Sequence, residues 1–328
     1  MAVIVGTIQP DFLNGTSSDD IITGLPGNDT INGNEGNDLI YGNQGNDQIN
    51  TGTGADTAFG GQDEDNIFNP SGPDLIYGNL GNDTLQSNAS SDEANTFYGG
   101  QGDDFIGAGS GNDLIYGNIG NDTVFGNDGR DTVFGGQGDD SVGGGDGNDL
   151  IYGNFGNDTL NGNANDNTVY GGQGNDLIIE NSGSGHTDRL FGNLGADTFD
   201  FAHPNPSSAG NSADHIGDMA TGTDKIDVFV SGGTRYTEVQ GDNQVTSVNT
   251  AVAYANTHNV LSQPSALGMF GTGTGQGNVV FVAGATDGFL LVDANNDHVF
   301  NQGPGTPDFA IVLDGLNSTT LLGPGDII

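Results

Sequence analysis

Between Gly15 and Asp200 the apolar residues of this chain return with a fixed step of nine. Counting each nonad from its leading glycine, position eight is apolar throughout, as at Ile22, Ile31, Ile40, Ile49, Ile67, Ile76, Leu85, Ile106, Ile115, Val124 and Val133. Twenty units fill the stretch. Eighteen have nine residues, and Ser87–Tyr98 and Glu180–Phe191 have twelve. Positions one to six are too rich in Gly, Asn and Asp for helix or strand and suit turns, where glycine supplies positive φ. Positions seven to nine are often β-branched or aromatic and predict a three-residue strand. Strand neighbours face opposite ways, so position eight points to one side and positions seven and nine to the other. One nonad is then a turn and a strand, and two nonads close one coil. Stacked coils bury position eight between two parallel sheets, which predicts an all-β parallel roll of about ten coils.

A longer period of 36 lies over the nine. "GNDLIYGN" stands at Gly36–Asn43, Gly111–Asn118 and Gly147–Asn154, with "GPDLIYGN" at Gly72–Asn79. The pattern reads as duplication of a four-nonad block. In odd units, position nine is aromatic at Tyr41, Phe59, Tyr77, Tyr98, Tyr116, Phe134, Tyr152, Tyr170 and Phe191. All odd strands share one sheet, so one outer face is expected to carry a ladder about 40 Å long, interleaved with Leu39, Leu75, Leu114 and Leu150. Even units place mostly Thr, Asn, Gln and Gly on the opposite face. The ladder reads either as stacking that stiffens the sheet or as an association face, covered by a partner copy or the C-terminal region.

Charge sharpens the picture. Four Lys+Arg face 44 Asp+Glu among 328 residues, a formal net charge of −40. Such a chain repels itself when compact and is not expected to bind nucleic acid or an anionic membrane. Position six is aspartate in eighteen units: Asp20, Asp29, Asp38, Asp47, Asp56, Asp65, Asp74, Asp83, Asp104, Asp113, Asp122, Asp131, Asp140, Asp149, Asp158, Asp176, Asp188 and Asp197. Asn95 and Asn167 are the exceptions. Units of equal parity stack, so Asp38 lies over Asp20 and under Asp56, about 4.8 Å away. Like charges that close repel by about 3 kcal/mol at an effective dielectric of 20. Carboxylates and turn carbonyls are the oxygens that Ca²⁺ takes, six to eight at a time. Turns on both edges provide roughly sixteen such sites, about +32 of charge. An acidic, solvated surface accounts for the charge but not for the period.

The residues "GGQGDDFIG" (Gly99–Gly107), "GGQGDDSVG" (Gly135–Gly143) and "GGQGNDLII" (Gly171–Ile179) resemble the nonapeptide of the RTX (repeats-in-toxin) proteins, of hemolysin type. The likeness covers more than half of the chain. It implies a right-handed parallel β-roll (solenoid), calcium as the bound ion, and export through a type I secretion apparatus guided by an uncleaved C-terminal signal. Departures put particular sites in question: Asn95 and Asn167 at position six, and Thr51, Asn69, Ser87, Ala108 and Glu180 in place of the leading glycine.

Residues 1–14 are expected as an N-terminal cap strand, 15–200 as the roll, and 201–328 as a small mostly-β capping and secretion-signal domain. The last part holds strand-like runs at Asp224–Val230, Asn278–Ala283, Gly288–Ala294 and Asp308–Gly315, and a short helix at Asn249–His258 with an Asn cap. "GADTFDF", "GTDKIDV" and "FLLVDANNDHVF" resemble the terminal region of serralysin-type proteins. Asp293–Asp297 mimics the start of an EF-hand loop, but His298 and Pro304 stand where glycine and glutamate belong, so a polar turn is expected.

Cysteine is absent, which excludes disulfides and thiolate sites. The N-terminal "MAVIVGTIQP" does not read as a cleavable signal peptide, and no run approaches the roughly 20 apolar residues of a membrane span. None of the five histidines lies in an HExxH pair, and no GxSxG elbow or P-loop occurs. His186 near Asp188 reads as a loop histidine. The expectation is a non-enzymatic, extracellular, calcium-binding structural or adhesive protein that assembles at the cell surface or in the matrix. The alternatives are an ice- or glycan-binding adhesin module and a non-catalytic accessory module of an extracellular hydrolase.

Overall fold

The computed structural model describes residues 1–88, 90, 92–181, 186–201, 214–218 and 224–227. Beyond them it describes the backbone of Arg235–Gln240, Met269–Phe270, Asn278–Ala283, Gly288–Asp293 and Phe309–Leu313. The chain divides into two compact units, Met1–Leu160 and Asn161–Ile328.

In the first unit the strands of odd nonads pair in parallel, each with the strand one coil on. Leu39–Gln44 lies beside Thr57–Gln62, with Ile40 opposite Ala58 and Tyr41 opposite Phe59. Even strands form the second sheet in the same manner, with Ile49 opposite Ile67. The first fourteen residues hold two strands, Val3–Val5 and Phe12–Asn14, in register with Ile21–Thr23 and Thr30–Asn32. In the second unit Thr168–Gln173 pairs with Arg189–Leu194, and Leu177–Ile179 with Thr198–Asp200. Counted over both units, the fold is an all-strand parallel β-solenoid of about eleven turns, against the ten expected.

The roll does not stop at Asp200. Asp214–Ile216 pairs in parallel with Arg189–Leu190, and Lys225–Asp227 with Thr198–Asp200. Phe309–Leu313 adds to Asp214–Ile216 in parallel, and Gly288–Asp293 and Asn278–Ala283 follow as antiparallel neighbours. These strands match three of the expected C-terminal runs, and Lys225–Asp227 lies in the fourth. The expected helix at Asn249–His258, the turn after Asp293 and the terminal "GDII" lie outside the described residues. No helix occurs among the described residues, so none is long and apolar enough to cross a membrane.

The core is one row of side chains from each sheet. All twenty position-eight residues are at most 2% exposed, from Ile22 and Ile31 to Leu190 and Phe199, and Ile216 and Ile226 extend the rows. Such a thin core explains how 33% hydrophobic residues suffice.

Strand length departs from expectation. The odd strands from Ile21–Pro26 to Arg189–Leu194 are six residues long, not three. Each runs on through the leading glycine and the next two positions, so Gln44 still faces Gln62 across the ladder. Even strands reach six residues only at Thr123–Asp128, Ser141–Asp146 and Thr159–Ala164, where the next unit begins with Gly126, Gly144 or Gly162. Before Gly33, Thr51, Ala108 and Glu180 they remain at three.

Candidate metal centre

The turns give the leading glycine a different task from the one expected. Positive φ falls at position two, as at Asn118 (80°), and at position four, as at Gly120 (135°). At Gly120 a Cβ would stand 2.0 Å from the carbonyl oxygen of Gly102 in the coil before. The leading glycine instead makes room for a carboxylate. A Cβ on Gly117 would lie 2.4 Å from Asp122 Oδ2.

Each position-six aspartate is carried inward by the strand that follows it, and all eighteen expected ones are at most 3% exposed. Their first oxygen is used within the protein. The backbone N–H of Asp104 donates to Asp122 Oδ1 at 2.8 Å, and that of Asp122 to Asp140 Oδ1 at 2.8 Å. The same bond links Asp47 to Asp65 (2.9 Å) and Asp38 to Asp56 (2.7 Å). The position-six side chains therefore form two columns, one per edge of the roll: odd units supply one and even units the other.

The second oxygen is the informative one. Oδ2 of Asp29, Asp38, Asp47, Asp56, Asp65, Asp83, Asp104, Asp113, Asp122, Asp131 and Asp140 is buried with no hydrogen-bond partner. An ionised oxygen in that position is costly unless a cation compensates it. Burial pushes Asp65, Asp104, Asp113 and Asp140 up to about 8, opposed by the backbone N–H each accepts and assisted by neighbouring carboxylates. The same balance puts Asp47 and Asp74 at about 7 and Asp56, Asp83, Asp122 and Asp131 at about 6. Asp20, at the start, is lowered by the N–H groups of Ala2 and Thr16. Buried, anionic, unpartnered oxygens stacked beside turn carbonyls are the donor set of a hard divalent cation, so the residues present fit calcium.

Three acids with the same placement were not expected from the sequence. Asp11 N–H donates to Asp29 Oδ1 at 2.8 Å, which makes Asp11 the position-six residue of an earlier coil. Asp214 Oδ1 accepts from Asp188 N–H at 2.9 Å, and Asp224 Oδ1 from Asp197 N–H at 3.1 Å. Their signal was an aspartate two places before an apolar residue, in "DFL", "DHI" and "DKI". The spacing from Asp188 to Asp214 is 26 rather than 18, which hid it. Glu180 joins Asp188 and Asp214 in a buried cluster whose carboxylate oxygens lie within 4.8 Å of one another. Burial first, and Glu180 next, raise the Asp188 and Asp214 carboxyls well above the ordinary range.

Outside the columns, the odd-unit rings stack face to face. Centroids are 4.8 Å apart from Phe59 to Tyr77 to Tyr98 to Tyr116, with planes within 5°. In the second unit Tyr170 stacks on Phe191 at 4.7 Å. Each ring is half-buried by its neighbours. The opposite face is less polar than expected, since Phe68, Phe105 and Phe125 are exposed there. His186 lies with its Nδ1 3.6 Å from Asp166, both on the surface.

Fold and site together define a calcium-type parallel β-roll, a solenoid whose turns are lined by buried carboxylates. The chain belongs to the RTX calcium-binding nonapeptide repeat family. That family's model, four repeat copies long, matches residues 5–40, 41–69, 71–93, 89–115, 107–142, 116–151, 143–178 and 182–200, more than half of the chain. No curated protein matches it.

Proposed function

We propose that this chain is a secreted structural or adhesive calcium-binding roll, folded by extracellular calcium and without catalytic activity of its own. The observation that carries the reading is the two columns of buried carboxylates, eleven of which between Asp29 and Asp140 keep a second oxygen without a hydrogen-bond partner. Calcium held between successive coils by these aspartates neutralises charge that would otherwise drive the coils apart. Extracellular modules bind at about 10⁻⁴–10⁻³ M, so the chain stays unfolded inside a cell and folds outside it. Export by a type I apparatus, guided by the serralysin-like C-terminal part, suits a polypeptide that must remain unfolded until it leaves.

Assembly through the aromatic face extends this reading. Within Met1–Leu160 the half-exposed rings from Tyr41 to Tyr152 stack one on the next, which favours contact with a second flat face. Light scattering of the calcium-loaded protein, whole and cut after Asp200, checks it: a monodisperse monomer in both forms rules out association. Glycan binding on the other face is a second reading, favoured by Phe105 and Phe125, exposed and 5.9 Å apart among small polar residues; a glycan array decides it. The central claim is tested by far-UV circular dichroism. At pH 8.5 the β signal must collapse in excess EGTA and return with calcium, and an unchanged spectrum in EGTA at that pH defeats the proposal.

A further inference from the structure

The two edges of the roll differ in a way that the nine-residue period conceals. In even units the leading residue is glycine and position six is aspartate without exception, from Gly24 and Asp29 to Gly192 and Asp197. Every departure falls on the odd-unit edge: both asparagines at position six, all five non-glycine leaders, and both twelve-residue units.

The side chains of two of these leaders occupy the slot beside the column. Thr51 and Asn69 are fully buried. Thr51 Oγ1 donates to Asp74 Oδ2 at 3.0 Å, while Asp74 Oδ1 accepts from Asp56 N–H at 2.8 Å. Asp74 therefore has a protein partner on both oxygens, unlike Asp65 and Asp83 on the opposite edge at the same height. One coil on, Asn95 Oδ1 accepts from Asp74 N–H and from Asn69 Nδ2, each at 2.9 Å, and Asn95 Nδ2 donates to Glu93 O at 3.1 Å. The buried oxygens left over here, Asn69 Oδ1 and Ser87 Oγ, are neutral. Among the described residues of the odd-unit edge between Asp56 and Asp113, no buried carboxylate oxygen is left unpartnered, so the donor set there suits a water better than calcium.

We propose that the odd-unit calcium column is interrupted between Asp56 and Asp113. Thr51 and Asn69 stand there in place of the cation, and the even-unit column of Met1–Leu160 is continuous. This rests on the calcium reading above and refines it. The roll carries a girdle joined by protein hydrogen bonds alone on one edge, and it binds fewer ions than the spacing of nine predicts.

Asp74→Asn and Asp65→Asn lie at one height on opposite edges and test the idea as a pair. Calcium titrations of the whole chain, followed by circular dichroism, are expected to show Asp65→Asn raising the folding midpoint about tenfold. Asp74→Asn is expected to move it less than about twofold, because Thr51 can reverse its hydroxyl to accept from the new amide. Equal shifts overturn the interruption but leave the calcium reading standing; no shift in either overturns both. A gain-of-site variant gives an independent readout. Thr51→Gly with Asn69→Gly and Asn95→Asp restores the even-edge pattern and should increase the calcium retained per chain, measured by atomic emission after dialysis. An unchanged ion count overturns the proposal.

Discussion

Replacing Asp122 by asparagine separates a carboxylate that holds a cation from one that only accepts a hydrogen bond. Asp122 Oδ1 takes the N–H of Asp104 at 2.8 Å. Asparagine can do the same, as Asn95 does for Asp74. Only the charge and the second oxygen change. Coils are spaced as the stacked rings are, 4.8–4.9 Å apart. At that distance and an effective dielectric of 20, each ionised neighbour repels Asp122 by about 3.5 kcal/mol. Asp104 and Asp140 are the two neighbours. In a roll without metal, full ionisation at pH 9 would make the substitution stabilising by up to about 7 kcal/mol.

With calcium in the column the sign reverses. The variant then loses a charged contact of about 1.5–3 kcal/mol. For a body of this size each kcal/mol shifts Tm by about 2–4 °C, so a fall of roughly 3–12 °C is expected. The assay is a thermal melt by circular dichroism in saturating calcium at pH 7.5, with Asp122→Ala alongside to remove the hydrogen bond as well. A variant that melts at or above the parent temperature would falsify the cation-holding role, because relief of repulsion would then be the larger effect.

Further expectations follow from the same geometry. In chelator Asp47, Asp56, Asp65, Asp74, Asp83, Asp104, Asp113, Asp122, Asp131 and Asp140 of the folded state titrate at about 6–8, against about 3.9 in the unfolded chain. The folded state thus binds more protons, and stability of the metal-free roll falls as pH rises from about 4 through 8; β signal in EDTA should persist at pH 4.5 and be lost at pH 8.5, and pH-independent spectra contradict this. Gly120→Ala forces an L side chain to positive φ and against Gly102 O, costing at least about 1–3 kcal/mol, to be read from the denaturation midpoint in calcium. Three residues inserted after Ser90, in the twelve-residue odd unit, should leave calcium-dependent folding intact, whereas the same insertion after Gln137 should abolish it, since Gly138 N–H bonds to Phe155 O of the next coil at 2.9 Å; equal tolerance by circular dichroism counts against the difference between edges.

The period of nine makes much of this molecule legible before any coordinates. Ile115 and its counterparts had to be interior, because position eight is the one place that is apolar in every nonad. The columns followed from parity alone, since Asp104, Asp122 and Asp140 are eighteen residues apart. What spacing could not show was which backbone atom meets which oxygen. Leading glycines such as Gly117 were read as conformational, yet the cause is steric room for a carboxylate from the same unit. Asp214 and Asp224 were missed because the connections before them vary in length, while the pairing that places them depends on the strand alone.

The internal duplication gives a comparison within one molecule. A block of 36 carries two turns of each edge, so each copy began with both. The turns that precede "DLIYGN" now read "GNEGN", "NPSGP", "AGSGN" and "GGDGN", while the turns that begin inside it read "GNQGND", "GNLGND", "GNIGND" and "GNFGND". Divergence on one edge with uniformity on the other cannot come from the strands, which both edges share. It must come from what the turns hold. Where Thr51 or Asn69 supplies a hydrogen bond, the leading position is free to vary, and the coil accepts extra residues nearby without losing register, as Thr84 still faces Phe105 and Thr96 still faces Leu75. Where Asp122 Oδ2 crowds Gly117, no side chain fits and the turn is held to one form. On this argument the even-unit column joins the coils of Met1–Leu160 to one another, and the odd-unit edge is where the sequence can acquire loops.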